Sequence, residues 1–360
     1  MGGSPYASSL GRLEVHFPQF LTGDQILTLA QTRDLDEVAK RLEGTVYGPE
    51  IVRAAASLSG ANLLEVAINR NFVRRNRLAL DAAPFAGKPV ISAYLRRWDI
   101  QNIELILSAK AEGRPVTETE TFLVSSRDQP AGLVAGPMTL DDFRLLLQQP
   151  SLEAIAQALV RFGYGGPLLP LMEIYGQTHD IFPLMAALDR DYYDRLLRSV
   201  RFFQGDEGVV RRFLRNEIDV RNVLLLLKAK DSEVPVDLLQ DRFIDGGTLT
   251  RAQVPDLYGA RSVPELAQQL AGRFPAVAEG TELYVKQKSL TGYETALHRE
   301  RAVTEVKRMR AFPLSLVVLF TYLYLLELER SDLRRLIYGT LYGVPADEVD
   351  AALVVPKLVP

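Results

Sequence analysis

The chain has 360 residues, 47% of them apolar and 24% charged, with a formal net charge of −3. That length suffices for more than one buried core, and the charge balance excludes the strongly basic footprint of a nucleic-acid binder. There is no cysteine, which excludes disulfides, thiolate metal sites and a cysteine nucleophile, and fits an intracellular protein.

In chain order, Met1 to Ser9 is polar and small, without the apolar stretch of a signal peptide. Glu37-Val38-Ala39 leading to Leu42 reads as an amphipathic helix, and its Ala-x-x-Leu step returns at Ala156–Leu159 and Ala267–Leu270. A second pattern begins with Asp99-Ile100-Gln101-Asn102-Ile103, followed by Lys110 and Pro115. It returns as Asp219-Val220-Arg221-Asn222-Val223 with Lys230 and Pro235, and more weakly as Glu329, Asp332, Leu333, Thr340 and Pro345. The anchors 102, 222 and 332 are 120 and 110 residues apart, and alanines 39, 156 and 267 precede them by 63, 66 and 65 residues. A period this long exceeds any solenoid unit, so two motifs kept in register predict three related domains, 1–125, 126–243 and 244–360.

Leu105, Ile106 and Leu107 give the helix after Asn102 an apolar face, as do Val223 to Leu227 after Asn222 and Leu333, Leu336 and Ile337 after Asp332. Each should stop before its proline, which lacks the N–H a continuing helix needs. Alternating, β-branched runs are scarce beyond Thr121 to Ser125, so the fold class is all-α. Ser125 to Met138 and Asp231 to Thr248 read as linkers, each ending in a Thr-Leu step whose threonine, Thr139 or Thr248, suits an N-cap. The uncharged run Phe312 to Leu326 has fifteen residues. A spanning helix needs about 20, so the run is read as a buried core helix.

Asparagine is a poor helix former, so Asn102 and Asn222 are expected to satisfy neighbouring backbone, with the acid three residues upstream charging the same helix start. The repeated positions Asp99, Asn102, Pro115, Asp219, Asn222, Pro235, Glu329, Asp332 and Pro345 are therefore read as structural. No catalytic, cofactor or metal set emerges. His16, His179 and His298 form no HExxH, the glycines around Tyr164 are a turn rather than a phosphate loop, and Ala86-Gly87-Lys88-Pro89 is a turn as well. Asp189, Asp191 and Asp194 are the densest acids. An all-α Mg²⁺ enzyme could use them, but interleaved Arg190 and Arg195 favour a salt-bridged helix start. Two basic segments remain, Arg70 to Arg77 and Arg299 to Arg310. They are charged helix faces or, for the second, a dock for acidic partner loops or lipid headgroups.

Taken together, these residues resemble the C subunit of archaeal and bacterial A/V-type rotary ATPases, similar also to the eukaryotic V-ATPase d subunit. The resemblance rests on Tyr6 and Arg12, Leu42 to Tyr47, Asp99 to Lys110, Asn216 to Lys230, then Tyr324, Glu329, Leu333, Arg334 and Tyr342-Gly343-Val344-Pro345. Asp332 stands where the family usually has asparagine. The resemblance implies three similar helical domains in a pseudo-threefold funnel. It also implies a non-catalytic coupler without cofactors, peripheral on the cytoplasmic face of the membrane. Its partners would be central shaft subunits of the D and F type and the proteolipid ring, in an enzyme that moves protons or sodium. The alternatives are a helical scaffold outside the rotary machine and the Mg²⁺ enzyme.

Overall fold

The computed structural model describes residues 4–115, 124–125, 129–130, 134–201 and 207–358. It is all-α apart from an antiparallel pair of two-residue strands, Val124–Ser125 and Gln129–Pro130. The helices begin with α1 Ala7–Glu14, α2 Gly23–Gln31, α3 Leu35–Glu43, α4 Gly48–Ala55, α5 Gly60–Ala82 and α6 Lys88–Ala111. Next come α7 Leu140–Leu147, α8 Leu152–Leu159, α9 Met172–Thr178, α10 Phe182–Val200, α11 Glu207–Asp231 and α12 Val236–Arg242. The last are α13 Val254–Tyr258, α14 Val263–Ala271, α15 Val277–Gln287, α16 Thr291–Met309, α17 Val317–Leu341 and α18 Ala346–Ala352.

One local programme recurs three times. Thr22, Thr139 and Thr250 each give their backbone N–H to a side chain three residues on, Gln25, Asp142 or Gln253, at 2.8, 2.9 and 3.0 Å. This reciprocal capping starts a short helix. Asp34, Ser151 and Ser262 then cap α3, α8 and α14, and the alanines at 39, 156 and 267 lie buried in those helices. A pair of long helices follows: α5 and α6, α10 and α11, α16 and α17. Each second member has 24 or 25 residues, about 36 Å at 1.5 Å per residue.

The three second members also stop alike. Gly113, Glu233 and Gly343 take left-handed φ of 69°, 52° and 68°. The next N–H, of Arg114, Val234 or Val344, returns to the carbonyl of Ala109, Ala229 or Gly339 at 2.9, 2.9 and 2.8 Å. That is a Schellman closure. Proline follows at 115, 235 and 345, and Pro235 and Pro345 are the N-caps of α12 and α18.

The chain packs as two units, residues 1–181 with 312–360, and residues 182–311. In the first, Ile26, Val38, Leu42 and Ile51 share a core with Leu333, Leu336 and Ile337 of α17, while α6 packs against α7 and α8. In the second, Val223, Leu226 and Leu227 of α11 share a core with Val254, Leu266, Leu270 and Tyr293. The short helices thus pack on a long helix from another stretch of chain.

Three expectations need correction. Asp231 to Thr248 contains α12, so it is not a bare linker. Thr248 is not the N-cap; Thr250 is, two residues later. The run from Phe312 opens with a turn in which Phe312 and Leu314 are exposed, and only from Val317 does it become the buried helix expected. Among the described residues, no helix is long and apolar enough to cross a membrane.

Candidate functional site: the acid and amide positions of the long helices

Asp99, Asp219 and Glu329 lie within α6, α11 and α17, far from the first turn of each. The expectation that each acid charges its own helix start is therefore overturned. Mid-helix backbone is already paired, so the carboxylate faces outward to another segment.

That segment is the residue before each capping threonine. Leu21 gives its N–H to Glu329 at 2.5 Å, Met138 to Asp99 at 3.2 Å, and Leu249 to Asp219 at 2.9 Å. A hydroxyl completes each carboxylate. Tyr47 donates to Glu329 at 2.6 Å and Tyr164 to Asp99 at 2.7 Å. Both tyrosines stand twenty-five residues after the capping threonine, where the third copy has Pro275. There Thr248 substitutes, giving Asp219 its hydroxyl at 2.6 Å and its N–H at 2.7 Å. The acids are 0, 3 and 1% exposed in chain order. A buried carboxylate needs such donors to offset its lost hydration.

Close approach is visible in the glycines. A Cβ at Gly136 would lie 2.0 Å from the Asp99 carboxylate, and one at Gly247 would lie 2.4 Å from that of Asp219. Both glycines stand three residues before the capping threonine. The matching position in the remaining copy is Gln19, and there the acid is Glu329, one methylene longer.

Asn222 holds both backbone groups of Ile244, giving to its carbonyl at 2.8 Å and accepting from its N–H at 3.0 Å. Asp332 accepts from Val354 at 2.9 Å and Val355 at 2.7 Å, and pairs with Arg335 at 2.9 Å. Two facing N–H groups require only acceptors, so aspartate serves here where asparagine serves at 222. Asn102 is buried as well. Pro115 is exposed.

Around Glu329 the network extends. Arg75, 1% exposed, donates to Glu329 at 3.2 Å and to Tyr322 at 3.1 Å, and lies 4.1 Å from the Phe20 ring centroid. Burial pushes the Glu329 carboxyl up against Arg75, Tyr47 and the Leu21 N–H, which hold it down. Burial lifts Asp99 to about 7, opposed by Tyr164 and Met138, and it raises Asp332 against Val355 and Arg335. In the second unit Glu217 receives Tyr193 at 2.5 Å and Arg301 at 2.8 Å.

Elsewhere, Asp189, Asp191 and Asp194 pair with Arg221, Arg195 and Arg198. Among the described residues, no group of three histidines or acids could hold a metal ion. His179 ends α9 in a left-handed conformation, and His16 bonds Gln19. Sequence reasoning missed Tyr164, which it left inside a glycine turn, and missed the pairing of Tyr47 with Glu329. The shared offset from the capping threonines was the available signal.

The sequence matches the family described as ATP synthase (C/AC39) subunit over residues 10–352. The A-type ATP synthase C subunit of Thermoplasma acidophilum is 34% identical over 351 residues, covering 98% of each chain. Its namesake in Thermoplasma volcanium is 32% identical over 96% of each, and that of Halorubrum lacusprofundi 28% identical over 89% of each. With that coverage, the chain belongs to the ATP synthase (C/AC39) subunit family, a family of non-catalytic subunits.

Proposed function

We propose that the chain couples the rotating central shaft of an A-type ATP synthase to the proteolipid ring of its membrane sector. It would sit on the cytoplasmic face as a peripheral subunit, with D- and F-type shaft subunits on one side and the ring on the other. Its three domains, 1–125, 126–243 and 244–360, would form a pseudo-threefold funnel. The observation that carries this reading is the threefold recurrence of one contact, a buried acid of a long helix bonded to the N–H before a capping threonine. In the third instance the acid is Glu329 and the N–H belongs to Leu21, so the last copy pairs with the first. A pairing of the last copy with the first would suit a collar.

Transmission of torque needs stiffness. Close-packed cores and buried ion pairs resist deformation. Several copies of one surface can engage several identical ring loops together, gaining by multivalency what each contact lacks. The ion pairs of Asp189, Asp191 and Asp194 favour a structural role there over Mg²⁺ chemistry. The test is a pull-down with purified chain as bait. Shaft subunits and detergent-solubilised proteolipid ring should each be retained, and retention of neither would remove the coupling role.

A further inference from the structure

The second unit contains a cleft of about 520 Å³, lined by residues of α11 and α16 and by the segments at Thr248 and Arg273. Six arginines line it against three acids. They include Arg308, from the basic segment that the sequence singled out, and Arg211, Arg212 and Arg215 from α11. Two rim arginines are already oriented, Arg215 by the Gly247 carbonyl at 3.2 Å and Arg273 by the Thr248 carbonyl. Among the described residues, Arg211 and Arg212 are exposed and have no carboxylate within 4 Å.

The wall of the cleft is different. Glu305 is fully buried, with one carboxylate oxygen engaged by Arg308 and Asn216 and the other, Oε2, without a hydrogen-bond partner. Both carboxylate oxygens of Glu305 are buried, so recognition in the cleft falls to its exposed arginines rather than to this acid. Arg211 and Arg212 are adjacent on a helix and so diverge by about 100°, which suits separated carboxylates rather than one point of charge. Arginine's planar fork binds carboxylates in pairs of hydrogen bonds.

We propose that this cleft docks an acidic segment of a partner protein, with Asp or Glu side chains on the exposed Arg211 and Arg212. The inference deepens the coupling role proposed above and rests on it only for the source of the segment.

The test uses the full chain and a fluorescein-labelled, end-blocked peptide of alternating glutamate and alanine, read by anisotropy, with the glutamine analogue and inorganic pyrophosphate as comparisons. The peptide should bind saturably, the glutamine analogue at least tenfold more weakly, and pyrophosphate should not displace the peptide at equimolar concentration. R211E/R212E, checked for unchanged far-ultraviolet circular dichroism, should weaken binding at least tenfold, while R211K/R212K, which keeps the charge but loses the fork, should weaken it by less than R211E/R212E. R211Q/R212Q, expected to bind at least fivefold more weakly, gives the same reading should the charge reversal disturb folding. Wild-type affinity in the glutamine or glutamate variants, equal binding of the neutral peptide, or displacement by equimolar pyrophosphate would each overturn the proposal. Loss of the peptide with shaft and ring still retained in the pull-down removes the cleft alone. Peptide binding without either partner removes the coupling role and leaves the cleft.

Discussion

Tyr47 donates its hydroxyl to Glu329 at 2.6 Å across 282 residues of chain, and Tyr164 donates to Asp99 at 2.7 Å across 65. The two contacts are the same device. In the second the partners follow one another along the chain; in the first they come from its two ends. Within the first unit, residues from the two ends of the chain thus make the contact that neighbouring segments make at Asp99.

The Glu329 site should be sensitive to deletion on either side. Glu329→Ala strands Arg75 as an unpaired buried cation, which costs about 3–5 kcal/mol. Tyr47→Phe removes one donor from a buried carboxylate and should cost about 1–3 kcal/mol. Denaturant unfolding followed through Trp98 reports on this unit, because the chain's single tryptophan packs edge-on against Phe72, with centroids 5.0 Å apart. The double variant should lose less than the sum of the two, since both act on one network. Strict additivity would mean that the residues do not share it.

Asp99 gives the fold a pH dependence. Its folded pKa is raised by burial to about 7, whereas in the unfolded chain it has the ordinary value near 4. Between those values the folded state holds the extra proton, so stability falls as pH rises through the window and levels off above it. Asp99→Asn keeps a carbonyl acceptor for Met138 and Tyr164 and removes the titration. From pH 5 to 7 the wild type should lose about 2 kcal/mol relative to this variant. An equal change in stability of wild type and Asp99→Asn between the two pH values would contradict this.

Gly247 is a packing requirement. A methyl group there would lie 2.4 Å from the Asp219 carboxylate, so Gly247→Ala must displace the acid or the loop. The expected cost is about 1–3 kcal/mol. Gly136→Ala should behave alike beside Asp99, whereas Gln19→Ala, at the matching position of the copy with the longer acid, should change stability by less than about 0.5 kcal/mol. Thermal melts of the three variants give the comparison directly.

Glu233 holds φ of 52° where the other two copies have glycine. An L-residue in the left-handed region costs about 1–2 kcal/mol, and glycine relieves part of that while adding backbone entropy to the unfolded state. Glu233→Gly should therefore stabilise the second unit by about 0.5–1 kcal/mol. Gly113→Ala and Gly343→Ala should destabilise the first by similar amounts. Urea midpoints decide it, and a destabilised Glu233→Gly would mean that its side chain contributes more than its backbone costs.

What the sequence determined by itself was local and periodic. Apolar spacing set the helices, the Thr139 cap marked the start of one, and Pro115, Pro235 and Pro345 marked where three of them must stop. Each of these signals acts within about one or two helical turns, so spacing alone carries it. The repeat, and through it the family resemblance, was legible for the same reason. Only the tertiary structure decided what the buried acids touch. Asp99, Asp219 and Glu329 were visible as repeated residues, yet their own neighbours along the helix suggested a helix-start charge, because nothing local shows which outside N–H a mid-helix carboxylate will meet. That choice depends on packing between segments up to 308 residues apart. The same dependence explains why Tyr164 read as part of a glycine turn, and why Thr248 could replace a tyrosine hydroxyl from a different place in its copy.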